Sequence, residues 1–276
     1  MDLHVQNSVM VSFIVSAVLG VLLTAAGFIF IRKKFNARIK PFFVGCITFI
    51  LFVSIESLCN SLLFKSNLGA AIQANTILFA LVGGFQAGLF EEMGRFFAFK
   101  CILNKSKDED STALMYGAGH GGIEVIVIFV VSMITNLVLS LLINNGMTSV
   151  ITSSLPAEQV PVMQLQLEKL AGTKVYESYL GFFERISALL FHIASSVLVW
   201  IACKDKKNIF YLFIAVFAHA LFDFLAVIFV KNNVNAFLLE LVLFAFSALY
   251  CGLVYFLSKK NGLCFSNKTV EKAEEI

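Results

Sequence analysis

The residues of this chain able to do acid–base or metal chemistry sit in a few short runs. They are Glu91, Glu92 and Arg95 in GLFEEMGRFF, His120 and Glu124 in YGAGHGGIE, His192 in LLFHIASS, and His219 and Asp223 in HALFD. Every run lies within an apolar stretch. An unpaired charge at a bilayer centre costs about 2.5–3.5 kcal/mol or more, so such groups usually face one another around a site. Arg95 lies one turn from both Glu91 and Glu92, and one guanidinium can hold two carboxylates and keep at least one ionised. A basic carboxylate is what activation of a water requires. Taken alone, the same spacing serves equally as a structural clasp between helices. His120 with Glu124 and His219 with Asp223 repeat the one-turn step, which lets a carboxylate fix an imidazole's tautomer. His192 has Ser195 and Ser196 one turn on. A lone intramembrane histidine is more often a packing residue, but three at a common depth point to a site. Three imidazoles are also a ligand set for a divalent ion such as Zn2+, with a neighbouring glutamate as base. The sequence has no HExxH pattern, and its residues leave metal-dependent and metal-free chemistry both open.

The elements that must hold these groups are membrane helices. A chain that is 59% hydrophobic, with 30 Phe and only 14% charged residues, is far from a soluble domain's balance. Runs of spanning length lie at about 9–31, 41–64, 74–99, 113–142, 181–203, 208–230 and 235–258, which predicts an all-α bundle of about seven spans in one transmembrane domain over residues 1–276. Arg32, Lys33, Lys34, Arg38 and Lys40 make the first connection basic. Alternation then puts Lys100, Lys105 and Lys107, Lys204, Lys206 and Lys207, and the tail after 259 on the same side, against only Lys65, Lys169, Lys174 and Lys231 opposite. The positive-inside bias therefore predicts the N-terminus outside and the C-terminus inside, in a multi-pass protein of a bacterial cytoplasmic membrane. MDLHVQNSVM has no positive region, so the first run reads as an anchor. Residues 143–180 form the long outer connection, in which VMQLQLEKL suits either a short amphipathic helix or a surface loop. The formal charge of +3 gives no sign of a nucleic-acid partner, and the six cysteines have no CxxC spacing. The partners expected are the lipid bilayer and a membrane protein or peptide; the oligomeric state is not legible.

With a 1.5 Å rise, Glu91, Glu92 and His120 come about 11–12 Å from the cytoplasmic ends of their helices, and His192 and His219 about 16 Å. Glu124 and Asp223 fall about one turn deeper. Gly84 and Gly88 in the third run and Gly117 and Gly121 in the fourth each form a GxxxG step, which predicts close packing of those two helices.

With these residues in view, the chain resembles the YhfC family of intramembrane peptidases, relatives of the CAAX-processing and bacteriocin-processing membrane proteases. The resemblance rests on EEMGR at 91–95, YGAGHGGIE at 116–124, FERISALLFHIASSVLV at 183–199 and HALFD at 219–223. The CAAX-type pattern EExxxR, FxxxH and HxxxN/D looks like EExxR, Tyr116 to His120, and His219 to Asp223, with the arginine one residue closer and Tyr in place of Phe. The likeness implies hydrolysis of a peptide bond in or next to the membrane. Glu91 would be the base, set by Glu92 and Arg95. His120 would orient water or protonate the leaving amine, and His219 with Asp223 would stabilise the oxyanion. Glu124, His192 and Tyr116 would support the substrate or these groups. The family's name leans towards a metalloprotease, with His120, His192 and His219 as the ligands, while its relatives suggest a glutamate and histidine mechanism without metal. Two other classes fit intramembrane acids and imidazoles: a proton-coupled or ion carrier, and a catalytically silent scaffold. No inverted repeat or Pro-broken helix favours the carrier.

Overall fold

A computed structural model describes residues 3–106 and 109–265 of the chain; the polar tail from 266 onward lies outside the described residues. Among these residues there are helices and no strands, and seven helices are long and apolar enough to span a membrane. They are α1 (Asn7–Lys34), α2 (Lys40–Phe64), α3 (Thr76–Ile102), α4 (Ser111–Asn144), α5 (Val175–Lys204), α6 (Lys206–Lys231) and α7 (Ala236–Lys260). Polar residues set the ends. Asn75 accepts hydrogen bonds from the backbone N–H of Ile77 and Leu78 to start the first turn of α3, and Asn235 does the same for Phe237 and Leu238 in α7, as a capping carboxamide should. Gly262, at φ +69°, lets the N–H of Leu263 return to the Ser258 carbonyl and close α7. VMQLQLEKL is helical, within Val160–Gly172, and two more short helices occur at Asn67–Ala74 and Thr148–Thr152.

Apolar side chains such as Phe213 (68%), Phe217 (70%) and Leu249 (77%) are exposed, an arrangement stable in lipid and costly in water. The helix α5 differs from the other six. Its most apolar window is 83% buried, against 17–33% for theirs.

The chain forms two compact units, whose boundaries fall within α1, α4 and α5. The smaller comprises the N-terminal residues to Leu23 and Val125–Arg185. There Val5, Val9 and Phe13 pack with Ile143, Leu167 and Leu170, and the Asn144 side chain brackets Val5 by accepting from its N–H (2.8 Å) and donating to its carbonyl (2.9 Å). The larger comprises Thr24–Glu124 and the chain from Ile186 onward, and contains every acid and imidazole singled out above. Its core joins Phe99, Phe191, Leu198, Trp200, Leu212 and Tyr250.

In the larger unit small residues bring backbones together, though between other helices than the GxxxG steps suggest. A Cβ on Gly84 or Gly88 would meet the carbonyls of Ala220 or Val216 at 2.5 or 2.7 Å, so this stripe of α3 packs on α6 and not on α4. Gly117 and Gly121 of α4 face Ile193, His192 and Leu189 of α5. The spacing is right and the partners differ, because a GxxxG step shows that a helix can be approached closely without specifying which neighbour does so. The α2–α4 contact is closer still, with Gly45 against Tyr116 and Gly119 against Phe42. At the end of α5 Asp110 ties three segments, accepting from Trp200 Nε1 (2.8 Å), from the Lys204 ammonium and from the backbone N–H of Cys264 (2.8 Å).

Candidate functional site

These contacts set four helices of the larger unit so that their polar side chains meet. Glu91, Glu92 and Arg95 lie on the face of α3 turned inward, His120 and Glu124 come from α4, His192 from α5 and His219 from α6, and all seven are buried. The Arg95 guanidinium is completely enclosed. It donates through Nη1 to Glu92 Oε1 and through Nη2 to Nδ1 of His192 (2.6 Å). Glu92 Oε1 also accepts from Nδ1 of His219 (2.7 Å), while Nε2 of His192 meets Glu124. The result is one continuous chain across the helices: Glu124, His192, Arg95, Glu92, His219. Pairing of this kind is what permits charged groups at such depth.

Glu91 stands beside that chain. Its Oε2 is 2.8 Å from Nε2 of His120, 3.8 Å from Nε2 of His219, and 3.9 Å from both Arg95 Nη2 and His192 Nδ1. Asp223 lies 3.6 Å from Nε2 of His219, with a side chain 33% exposed against 9% for Glu91. Among the buried polar atoms here without a hydrogen-bond partner are Nδ1 of His120, Oε2 of Glu92 and Nε of Arg95. Around the imidazoles runs an aromatic wall. Phe191 stacks on Phe222 (4.9 Å) and Tyr250 (4.8 Å) and presents its edge to His219 (5.3 Å) and His192 (5.7 Å). Such packing limits the rotamers of both rings.

The structure thus gathers Glu91, Glu92, Arg95, His120, Glu124, His192, His219 and Asp223. Tyr116 borders this group: its ring lies 6.0 Å from that of His120 and packs on Phe99 (4.7 Å), while its hydroxyl bonds Thr48 Oγ1 (2.6 Å). Glu56 is bound within its own helix by Asn60. Two features escape sequence reasoning. Backbone hydrogen bonding turns π-helical at Ala98–Ile102, just after Arg95, and at Val125–Val130, immediately after Glu124. Such widened turns often occur at functional positions, but nothing in those apolar runs announces them. The second is the trio able to converge on an ion: Glu91, His120 and His192, with ligand atoms within 4.8 Å of one another. It differs from the three-imidazole set in one member, with Glu91 in place of His219, whose Nε2 lies 3.8 Å from Glu91 Oε2.

Two imidazole nitrogens and a carboxylate oxygen suit zinc in kind. Bonds of about 2.0–2.2 Å in a tetrahedron need donors about 3.4 Å apart, so the widest pair of the trio would have to close by up to about 1.4 Å. Glu91 and His120, hydrogen-bonded at 2.8 Å, would instead have to part slightly to admit the ion.

The chain is 30% identical over 233 residues to the uncharacterized membrane protein YhfC of Bacillus subtilis (strain 168), covering 84% of this chain and 89% of that one. No solved structure matches. The model of the YhfC intramembrane metalloprotease family matches residues 18–243, a span that includes every residue of the buried centre. This multi-pass membrane protein belongs to the YhfC intramembrane metalloprotease family.

Proposed function

We propose that the chain is an intramembrane endopeptidase, lying in a bacterial cytoplasmic membrane with its N-terminus outside, that hydrolyses a peptide bond of a membrane protein or peptide. The observation that carries this reading is the gathering of His120, Arg95, His192 and His219 around one carboxylate oxygen, Oε2 of Glu91. In an enclosed, weakly polar site, a carboxylate so surrounded can take a proton from an attacking water. His120 donates from Nε2 to that carboxylate and holds it in place, and Glu91 passes the proton it has taken from water to the leaving amine. Nε2 of His219, held in place by Glu92 at the opposite nitrogen, serves the developing oxyanion. Arg95 and Glu92 fix these positions and neutralise each other. In the metal-dependent alternative, a divalent ion held by Glu91, His120 and His192 would supply the Lewis acid beside the scissile carbonyl, with Glu91 then a ligand and not the base.

The test is cleavage of a membrane-peptide library by the purified protein in liposomes, with and without chelator. Glu91→Gln should lower cleavage by at least about 100-fold, the usual worth of a positioned base, with the fold intact. Unchanged cleavage would remove Glu91 from that role, and ion flux without any proteolysis would support a carrier instead.

A further inference from the structure

The contact between Arg95 and His192 bears on how this centre takes up a metal, and the inference concerns the same site as the peptidase reading. A guanidinium can only donate, and a neutral imidazole donates from one nitrogen and accepts at the other. The 2.6 Å approach of Arg95 Nη2 therefore makes Nδ1 of His192 the acceptor and leaves the ring proton on Nε2, facing Glu124. Nδ1, 3.9 Å from Glu91 Oε2, is the nitrogen of His192 turned towards Glu91. The lone pair that an ion between Glu91, His120 and His192 would need is thus already in use, and by a cation. Arg95 is also lightly held for so buried a group: its Nε has no acceptor, and its hydrogen bonds run through the two Nη atoms alone.

We propose that Arg95 is a latch on the metal site. It and a divalent cation compete for Nδ1 of His192, and the trio closes on the ion only when Nη2 lets go while Nη1 keeps Glu92. Arg95 acts here as a positioning residue. Its release, not the donor set, sets how readily the ion enters.

The experiment measures zinc binding to the purified protein in detergent by titration calorimetry, with Co2+ absorption to report imidazole ligands. Arg95→Gln alone leaves Glu92 buried with only His219 and threatens folding. The paired change Glu92→Gln with Arg95→Gln removes both charges and keeps the net charge of the centre. Arg95→Lys, which retains a cation for Glu92 but cannot hold both partners, serves as a second variant. Losing a charge-assisted hydrogen bond that blocks the ligand should tighten zinc binding roughly 10- to 100-fold in the paired variant, and in the same direction for Arg95→Lys. The gain should vanish when His192→Gln is added. In the metal-free wild type, 15N NMR of labelled histidine should show His192 bare at Nδ1 and protonated at Nε2. Equal zinc affinity in wild type and variants, a gain that survives His192→Gln, or no zinc binding by any form would overturn the latch. Absence of peptide cleavage by every form, with the affinities still shifted, would instead overturn the peptidase reading and leave the latch standing.

Discussion

Gly119→Ala tests whether the α2–α4 contact sets the geometry of the centre. A Cβ at this position would lie 1.9 Å from the Phe42 carbonyl oxygen and 2.7 Å from its carbon. Carbon–oxygen contacts settle near 3.3–3.6 Å, so the helices must part by about 1.5 Å. Neither side can give way by rotating a side chain, because the obstacle is backbone. Overpacking of this kind costs about 1–3 kcal/mol, and this case belongs at the upper end. Parting the helices also stretches the hydrogen bond from Cys46 Sγ to the Gly119 carbonyl (3.2 Å). His120 is the next residue, 2.8 Å from Glu91. A displacement of about 1 Å there is enough to lower a reaction rate on the order of 100-fold. The assay is denaturant unfolding in detergent followed by Trp200, the one tryptophan of the chain and almost fully buried, with peptide cleavage measured in parallel. Gly83→Ala is the control, since a Cβ there meets nothing within 4 Å, and should be neutral or stabilising by up to about 1 kcal/mol. A Gly119→Ala protein as stable as wild type would refute the reasoning.

Two further outcomes follow from single contacts. Asp110→Asn replaces an acceptor of three hydrogen bonds, from Trp200, Lys204 and Cys264, with a group that must point a donor at one of them; the loss should be about 1.5–3 kcal/mol, accompanied by a shift in Trp200 emission, and an unchanged spectrum and midpoint would count against it. Thr48→Val and Tyr116→Phe should show a coupling of about 0.5–1.5 kcal/mol in a double-mutant cycle, because their hydroxyls bond each other at 2.6 Å; strict additivity would deny that bond.

The helices were legible because each apolar run stops at a polar residue: the seven spans begin and end within about six residues of the limits read from hydropathy. The identity of the polar residues in the centre was legible for the same reason, since ionisable groups stand out in such runs. Their pairing was legible only in part. The one-turn steps from Arg95 to Glu92 and from His219 to Asp223 are present, the latter at 3.6 Å, but the closer bonds cross between helices and join His120 to Glu91, His192 to Glu124 and His219 to Glu92. Residues one turn apart share a face, and that face is turned towards a neighbouring helix whose groups come closer than those on the same helix. Which neighbour faces it depends on helix crossings made at Gly45, Gly84, Gly88 and Gly119, and a small residue in the sequence does not name its partner. His192 is the link between Glu124 and Arg95 that results.

The same pairing separates what holds the centre together from what is free to react. In the chain Glu124, His192, Arg95, Glu92, His219, removing an inner member takes a partner from two buried neighbours at once, which in a low-dielectric interior costs about 3–5 kcal/mol. Changes at Arg95 or Glu92 will therefore mix folding with chemistry. Glu91 and His120 bond each other at 2.8 Å, and Glu91 comes no nearer than 3.8 Å to the chain. Structure asks less of this pair, and Glu91→Gln keeps an acceptor for His120 while removing the base. A substitution that isolates the reaction from the fold should therefore be sought in this pair and not along the chain.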